Sequence, residues 1–127
     1  MLCRRMVDLP ELKQLVAAIP GAIDDSGDTA LAFSTDKRGF AWTFMQRDTP
    51  KQKRWPNLQV LAVRCPLETK ELLIEAAPDI YFDDDHYRGY QAVLVRLPAI
   101  SAEELKEKLE ASFAFTMAHP ERRRRRT

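Results

Sequence analysis

Residues 79–97 read DIYFDDDHYRGYQAVLVRL, and this stretch decides how the chain is built. Its second half, QAVLVRL over 91–97, is apolar at successive positions, so both faces of the strand are covered and the strand is central rather than an edge. The first half runs Asp83, Asp84 and Asp85 straight into His86, with Tyr87 and Tyr90 close behind. Oxygen and imidazole groups in that order raise the question of a metal or an acid–base centre. A metal needs at least three ligands converging on one point, whereas adjacent residues of an extended chain point in alternating directions. Turn formation and solvation account for the aspartates more simply, and no metal ligand is assigned.

The residues that follow act as a unit. Gly89 is expected to supply a backbone conformation with φ > 0 that a side chain would hinder. Tyr87 and Tyr90 are expected to bury their rings at the mouth of the central strand while their hydroxyls find polar partners, and His86 to hydrogen-bond to a carbonyl or an aspartate. The alternative for His86, Tyr87 and Tyr90 is contact with a ligand, since aromatic faces also stack on bases.

Outward from this stretch, Asp8-Leu9-Pro10-Glu11 reads as a helix start, with an Asp cap, a proline in the first turn and a carboxylate three residues on. Leu12, Leu15, Val16 and Ile19 follow at helical spacing until Pro20-Gly21, and GAIDDSGD reads as loop. The period then changes to alternation. Leu31 and Phe33 belong to one strand, Thr35 to Gly39 to a hairpin turn, and Phe40, Trp42 and Phe44 to one face of a second strand. LQVLAVRC forms a third, with Leu61, Val63 and Cys65 on a common face. Glu68 to Ala77 reads as a helix stopped by Pro78. The last helix has Ser101 as cap, Glu104 completing a capping box, Ile100 stapled on Leu105, and Leu105, Leu109 and Phe113 as its buried stripe. This order predicts an α+β fold, a mainly antiparallel sheet of 4–5 strands with helices packed on one face.

With 127 residues the chain is expected to form a single domain over 1–119, followed by a basic, disordered tail over 120–127. The net charge of +1 conceals an asymmetry: without Arg122, Arg123, Arg124, Arg125 and Arg126, 15 basic residues face 19 acidic ones. Between Lys37 and Arg54 the balance reverses, with Lys37, Arg38, Arg47, Lys51, Lys53 and Arg54 against Asp48 alone. Lys37 and Arg38 fall on the hairpin tip. Lys51, Lys53 and Arg54 fall in the next loop beside Trp55, an aromatic able to stack on a base or to pack. Such an arrangement suits a polyanion.

No run approaches the roughly 20 apolar residues of a membrane span, and the N-terminus has no secretory pattern, so a cytoplasmic protein is expected. Cys65 is expected to be a buried free thiol, and Cys3 stands apart near the terminus. The chain carries no G-x-S-x-G, no phosphate-binding glycine loop and no helix with two histidines, so neither enzymatic activity nor a cofactor is expected.

FAWTF at 40–44, VLAVRC at 60–65 and the block from LLIEAAPDIYF through HYRGYQAVLVRL resemble the MmcQ/YjbR family. The most specific element is H-Y-x-G-Y followed by A-V-L-V-R-L, matched by His86, Tyr87, Gly89, Tyr90 and Ala92 to Leu97. The resemblance spans residues 7–117 and implies a small bacterial protein of the CyaY/frataxin-like fold, with a double-wing DNA-binding surface. The fold analogy also brings an iron-binding alternative on acidic surface residues. The arginine tail lies outside the family pattern. Together these observations make DNA the expected partner, bound weakly and without strong sequence preference by a monomer. The expected contacts are Lys37, Arg38, Lys51, Lys53, Arg54 and Trp55, supported by Arg88 and Arg122 to Arg126. The alternatives are a small-molecule or protein-interaction site at His86, Tyr87 and Tyr90, and a frataxin-like metal-binding protein.

Overall fold

A computed structural model describes residues 7–49 and 51–119, so the arginine tail and Cys3 lie outside the described residues. Helix α1 (Leu9–Ala17) begins where the cap predicts, with the Asp8 carboxylate accepting the Glu11 N–H at 2.9 Å. Strands β1 (Ile23–Asp24), β2 (Ala32–Ser34), β3 (Gly39–Gln46) and β4 (Trp55–Arg64) follow. Helix α2 (Leu67–Ala76) leads to β5 (Tyr81–Phe82), a 3-10 turn over Asp85–Tyr87, strand β6 (Ala92–Arg96), which is interior and paired on both sides, and α3 (Ala102–Ala118). The six strands form one antiparallel sheet in the order β1-β2-β3-β4-β6-β5. The class is the expected α+β, with two more short strands than the alternation revealed. Ile23–Asp24, read as loop, pairs with β2, and Tyr81–Phe82 pairs with β6. Strands of two residues are too short to show a period; only the neighbour that accepts their hydrogen bonds defines them.

All three helices cover one face. Leu12 and Val16 of α1 and Leu105 and Leu109 of α3 join Leu61, Val63, Val93 and Val95 of the sheet in one core, with Leu73 and Ile74 of α2 packed against it. Ser101 accepts the Glu104 N–H at 3.1 Å, and Ile100 is fully buried in the same core as Leu105. Phe113 is only partly buried and meets Phe40 edge-on at 5.4 Å. Among the described residues no helix is long and apolar enough to cross a membrane.

The expectation that Phe40, Trp42 and Phe44 share a face is overturned. Ser34 pairs with Gly39 but Phe33 with Ala41, which leaves Phe40 as the extra residue of a bulge. The bulge shifts the alternation, so Phe40 and Ala41 both enter the helix-side core, while Trp42 and Phe44 face the other way with Ala62, Tyr87, Ala92 and Leu94.

Candidate functional site

The helix-free face is closed by the chain between β5 and β6, and the aspartates of that loop each take a different partner. Asp84 caps the 3-10 turn, its carboxylate accepting the Tyr87 N–H at 3.1 Å. Asp83 pairs with Lys70 of α2 at 3.1 Å, and Asp85 with Arg88. Three carboxylates with three separate partners do not converge. Among the described residues no group of three or more His, Cys, Asp and Glu side chains is placed to hold a metal ion. Solvation thus describes Asp85 but not Asp83, whose partner is buried.

Lys70 is the unforeseen centre of this loop. Only 3% exposed, its ammonium donates to the Tyr87 carbonyl at 2.7 Å and the Tyr90 carbonyl at 3.0 Å besides pairing with Asp83. A buried cation is tolerated when its donors are all engaged, and these three acceptors complete the set. The hydrogen bonds fix the carbonyls of Tyr87 and Tyr90, and Gly89 between them turns the chain at φ 76°. No atom lies within 4 Å of where a Gly89 side chain would begin, so backbone conformation alone calls for glycine there.

Tyr87 is buried as expected. Its hydroxyl accepts the Trp42 indole N–H at 2.8 Å, and its ring meets Phe44 at 5.9 Å and Tyr90 at 5.8 Å. Burial pushes its hydroxyl pKa up, partly offset by the Trp42 donor and the nearby Arg54 charge. Tyr90 is instead exposed, at 43%, and its ring closes over Arg64. The Arg64 guanidinium lies between the Trp42 ring at 5.0 Å and the Tyr90 ring at 5.7 Å, and donates to the Gly39 carbonyl at 2.9 Å. His86 departs from expectation: it is exposed and makes an edge contact with the Tyr87 ring rather than a hydrogen bond.

The two basic loops sit at opposite ends of β3, whose eight residues separate them by about 26 Å at ~3.3 Å per residue. At one end Thr35 closes the hairpin, its hydroxyl accepting the Lys37 and Arg38 N–H groups at 3.0 and 3.1 Å. Lys37 is exposed, whereas the Arg38 guanidinium donates to the His119 carbonyl at 2.9 Å. The hairpin tip is therefore tied to the end of α3, where the arginine-rich segment begins in sequence. At the other end Arg54 donates to the Met45 carbonyl at 3.2 Å, and the Trp55 indole to Asp48 at 3.4 Å. Arg47, Lys51 and Lys53 are exposed and form no ion pair among the described residues. Trp55 is 41% exposed and pairs with Gln46, on the same face as Phe44, Trp42 and Tyr87. The helix-free face thus runs from Tyr90 and Arg64 past Tyr87 to Trp55, with a basic loop at each end.

Comparison with protein-family models finds no match, and comparison with curated proteins finds none either. Among solved structures the chain is similar to the crystal structure of Deinococcus radiodurans protein DR2400, a DUF419 domain. The TM-score is 0.66 at 23% identity, over 88% of this chain and 80% of that one. The likeness is one of fold.

Sequence reasoning placed the basic loops and Tyr87 but missed Lys70, Arg64 and Trp42 as the groups that hold the face together. Arg64 did leave a signal, a cation interrupting the apolar run VLAVRC. Lys70 left none, because lysine on a short helix reads as solvated until its neighbours are known. Nor do His86, Tyr87 and Tyr90 line the apolar cavity that opens on the helix-covered side between α2 and α3.

Proposed function

We propose that this is a non-enzymatic, MmcQ/YjbR-like protein that binds DNA weakly along its phosphate backbone, using the helix-free face of its sheet. The observation that carries the reading is the segment between β3 and β4: Arg47, Lys51 and Lys53 stand exposed, without ion pairs among the described residues, beside the exposed Trp55. Lysine and arginine side chains free of carboxylate partners release counterions on meeting phosphate, which is the main source of sequence-independent affinity. Lys37 and Arg38 at the far end of β3 lie at a span of roughly eight base steps at about 3.4 Å each, so both ends can reach one strand backbone. Arg88, ion-paired to Asp85, contributes least among the folded residues; Arg122 to Arg126 add an electrostatic supplement. All three helices occupy the opposite face, so none is presented to a major groove, and discrimination between base sequences is expected to be small.

Two features support binding rather than catalysis. Burial pushes the Cys65 thiol up to about 11, far from the range of a reactive thiolate at neutral pH. The Asp83 and Asp84 carboxylates are committed to structural partners, and Asp85 stands exposed in an ion pair with Arg88.

Fluorescence anisotropy with short duplexes over a salt series tests the reading. The intact chain should bind at low salt with a slope of log K against log salt of about −4 or steeper, each phosphate contributing ~0.9. The double substitution K51E/K53E should flatten the slope by about 2, and deleting residues 121–127 should flatten it further without abolishing binding. Absence of binding at low salt by the intact chain ends the proposal. Binding lost on tail deletion alone and untouched by K51E/K53E removes the folded domain from it.

A further inference from the structure

The helix-covered side carries a feature the DNA reading does not use. Between α2 and α3 an apolar cavity of about 250 Å³ opens over the sheet, floored by Val63, Cys65 and Val95 and walled by Leu73 and Phe115, with Lys108 at its rim. Globular interiors are close-packed, and a void of this size forgoes the contacts that would fill it. An engineered apolar cavity of roughly 150 Å³ accepts benzene, so this one has room for about ten non-hydrogen atoms.

Its charge environment selects among apolar molecules. Glu104 and Lys108 stand one turn apart on α3, the spacing at which such residues ordinarily pair. Here the Glu104 carboxylate instead accepts the Tyr81 hydroxyl at 2.5 Å. Lys108 is left half-buried at the cavity mouth, with no ion pair or hydrogen bond among the described residues. Burial pushes the Cys65 thiol up, and the Lys108 ammonium is close enough to pull partly against it. The other cation felt there, Lys70, is neutralised by Asp83 and two carbonyls. Thiol chemistry is not part of the site, because the protonated Cys65 is a small apolar wall element.

We infer that this cavity binds a free medium-chain carboxylic acid, its alkyl chain lying between Leu73, Val95 and Phe115 and its carboxylate meeting the Lys108 ammonium at the rim. The alkyl chain removes apolar surface from water on both sides. The carboxylate gives Lys108 the ion-pair partner it lacks among the described residues.

Octanoate, octanol and acetate, titrated separately into the full chain and followed by amide nitrogen–proton chemical shifts, provide the test. Octanoate should give saturable shifts at Val63, Leu73, Val95 and Ala111, octanol should bind about tenfold more weakly, and acetate should not saturate. Lys108→Gln should lower octanoate affinity about tenfold and leave octanol unchanged, and Ala111→Phe, which fills the cavity from α3, should abolish both. In the wild-type chain, nuclear Overhauser contacts from the octanoate methyl to the Leu73 and Val95 methyls read the location without any substitution. No saturable octanoate binding, no such contacts, or equal octanoate affinity in wild type and Lys108→Gln overturns the inference.

Discussion

On the helix-covered face Leu12, Leu61, Val95, Leu105 and Leu109 are shielded by other aliphatic side chains. On the opposite face the cover is a single loop, held by directed bonds from Lys70 to the Tyr87 and Tyr90 carbonyls, from Arg64 to the Tyr90 hydroxyl and from Trp42 to the Tyr87 hydroxyl. The first kind of packing is non-directional and tolerates any apolar residue of about the right volume. The second depends on donors and acceptors meeting at fixed positions, and loses more than its own net worth when one partner is removed. The face closed by aliphatic packing contains the cavity, whereas the face closed by polar bonds leaves aromatic rings and cations near solvent, where the proposed DNA contact would fall.

The contrast can be broken most forcefully by substitutions at the two centres. Leu109→Ala on the helix side should cost about 3 kcal/mol in urea unfolding, as buried leucines do when they leave a cavity. Lys70→Met should cost nearly as much, about 2–3 kcal/mol, because it strands two carbonyls and Asp83. Hydrogen exchange should separate the two: Lys70→Met should selectively unprotect amides 87–92, whereas Leu109→Ala should lower protection throughout. If Lys70→Met also loosens the whole domain evenly, the loop is not a separate unit. Trp42→Phe, which removes the donor to Tyr87, should cost about 1 kcal/mol and leave the helix side unaffected.

Alkaline titration sharpens the helix side. The Cys65 thiol is raised from 9.0 to about 11 by burial, so the folded chain holds a proton that the unfolded chain releases. Its stabilisation is complete below pH 9 and is lost as pH rises through about 11. Relative to Cys65→Ala, the wild type should therefore lose on the order of 1 kcal/mol over that window, measured by denaturant unfolding at stepped pH. Smallest of all, Arg88→Ala breaks only an exposed pair with Asp85 and should change stability by under about 0.5 kcal/mol.

Much of the scaffold was legible because its signals are local. The Asp8 cap, the Thr35 hairpin, the Ser101 cap and the four buried positions of β6 are each written in residues a few places apart, and each appears where expected. The basic loops were legible for the same reason, as a run of cations between Lys37 and Arg54. The failures all involve how separate segments meet. Phe40 left the face of Trp42 because β2 and β3 pair with a bulge, and Ile23–Asp24 became a strand only because β2 accepted it. His86, central to the family-like motif, turned outward while Lys70, a residue of another helix, did the bonding foreseen for it.

By itself, then, the sequence determined the class of fold, the helix ends, the hairpin and the central strand, because caps, turns and hydrophobic period act within a few residues. Only the tertiary structure decided which residues of DDDHYRGY are structural, and that a cavity opens between α2 and α3 beside Lys108, which has no ion pair among the described residues. Those are matters of strand register and of which side chains exclude water from one another. Both depend on segments far apart in the chain, and neither leaves a mark in any short stretch of it.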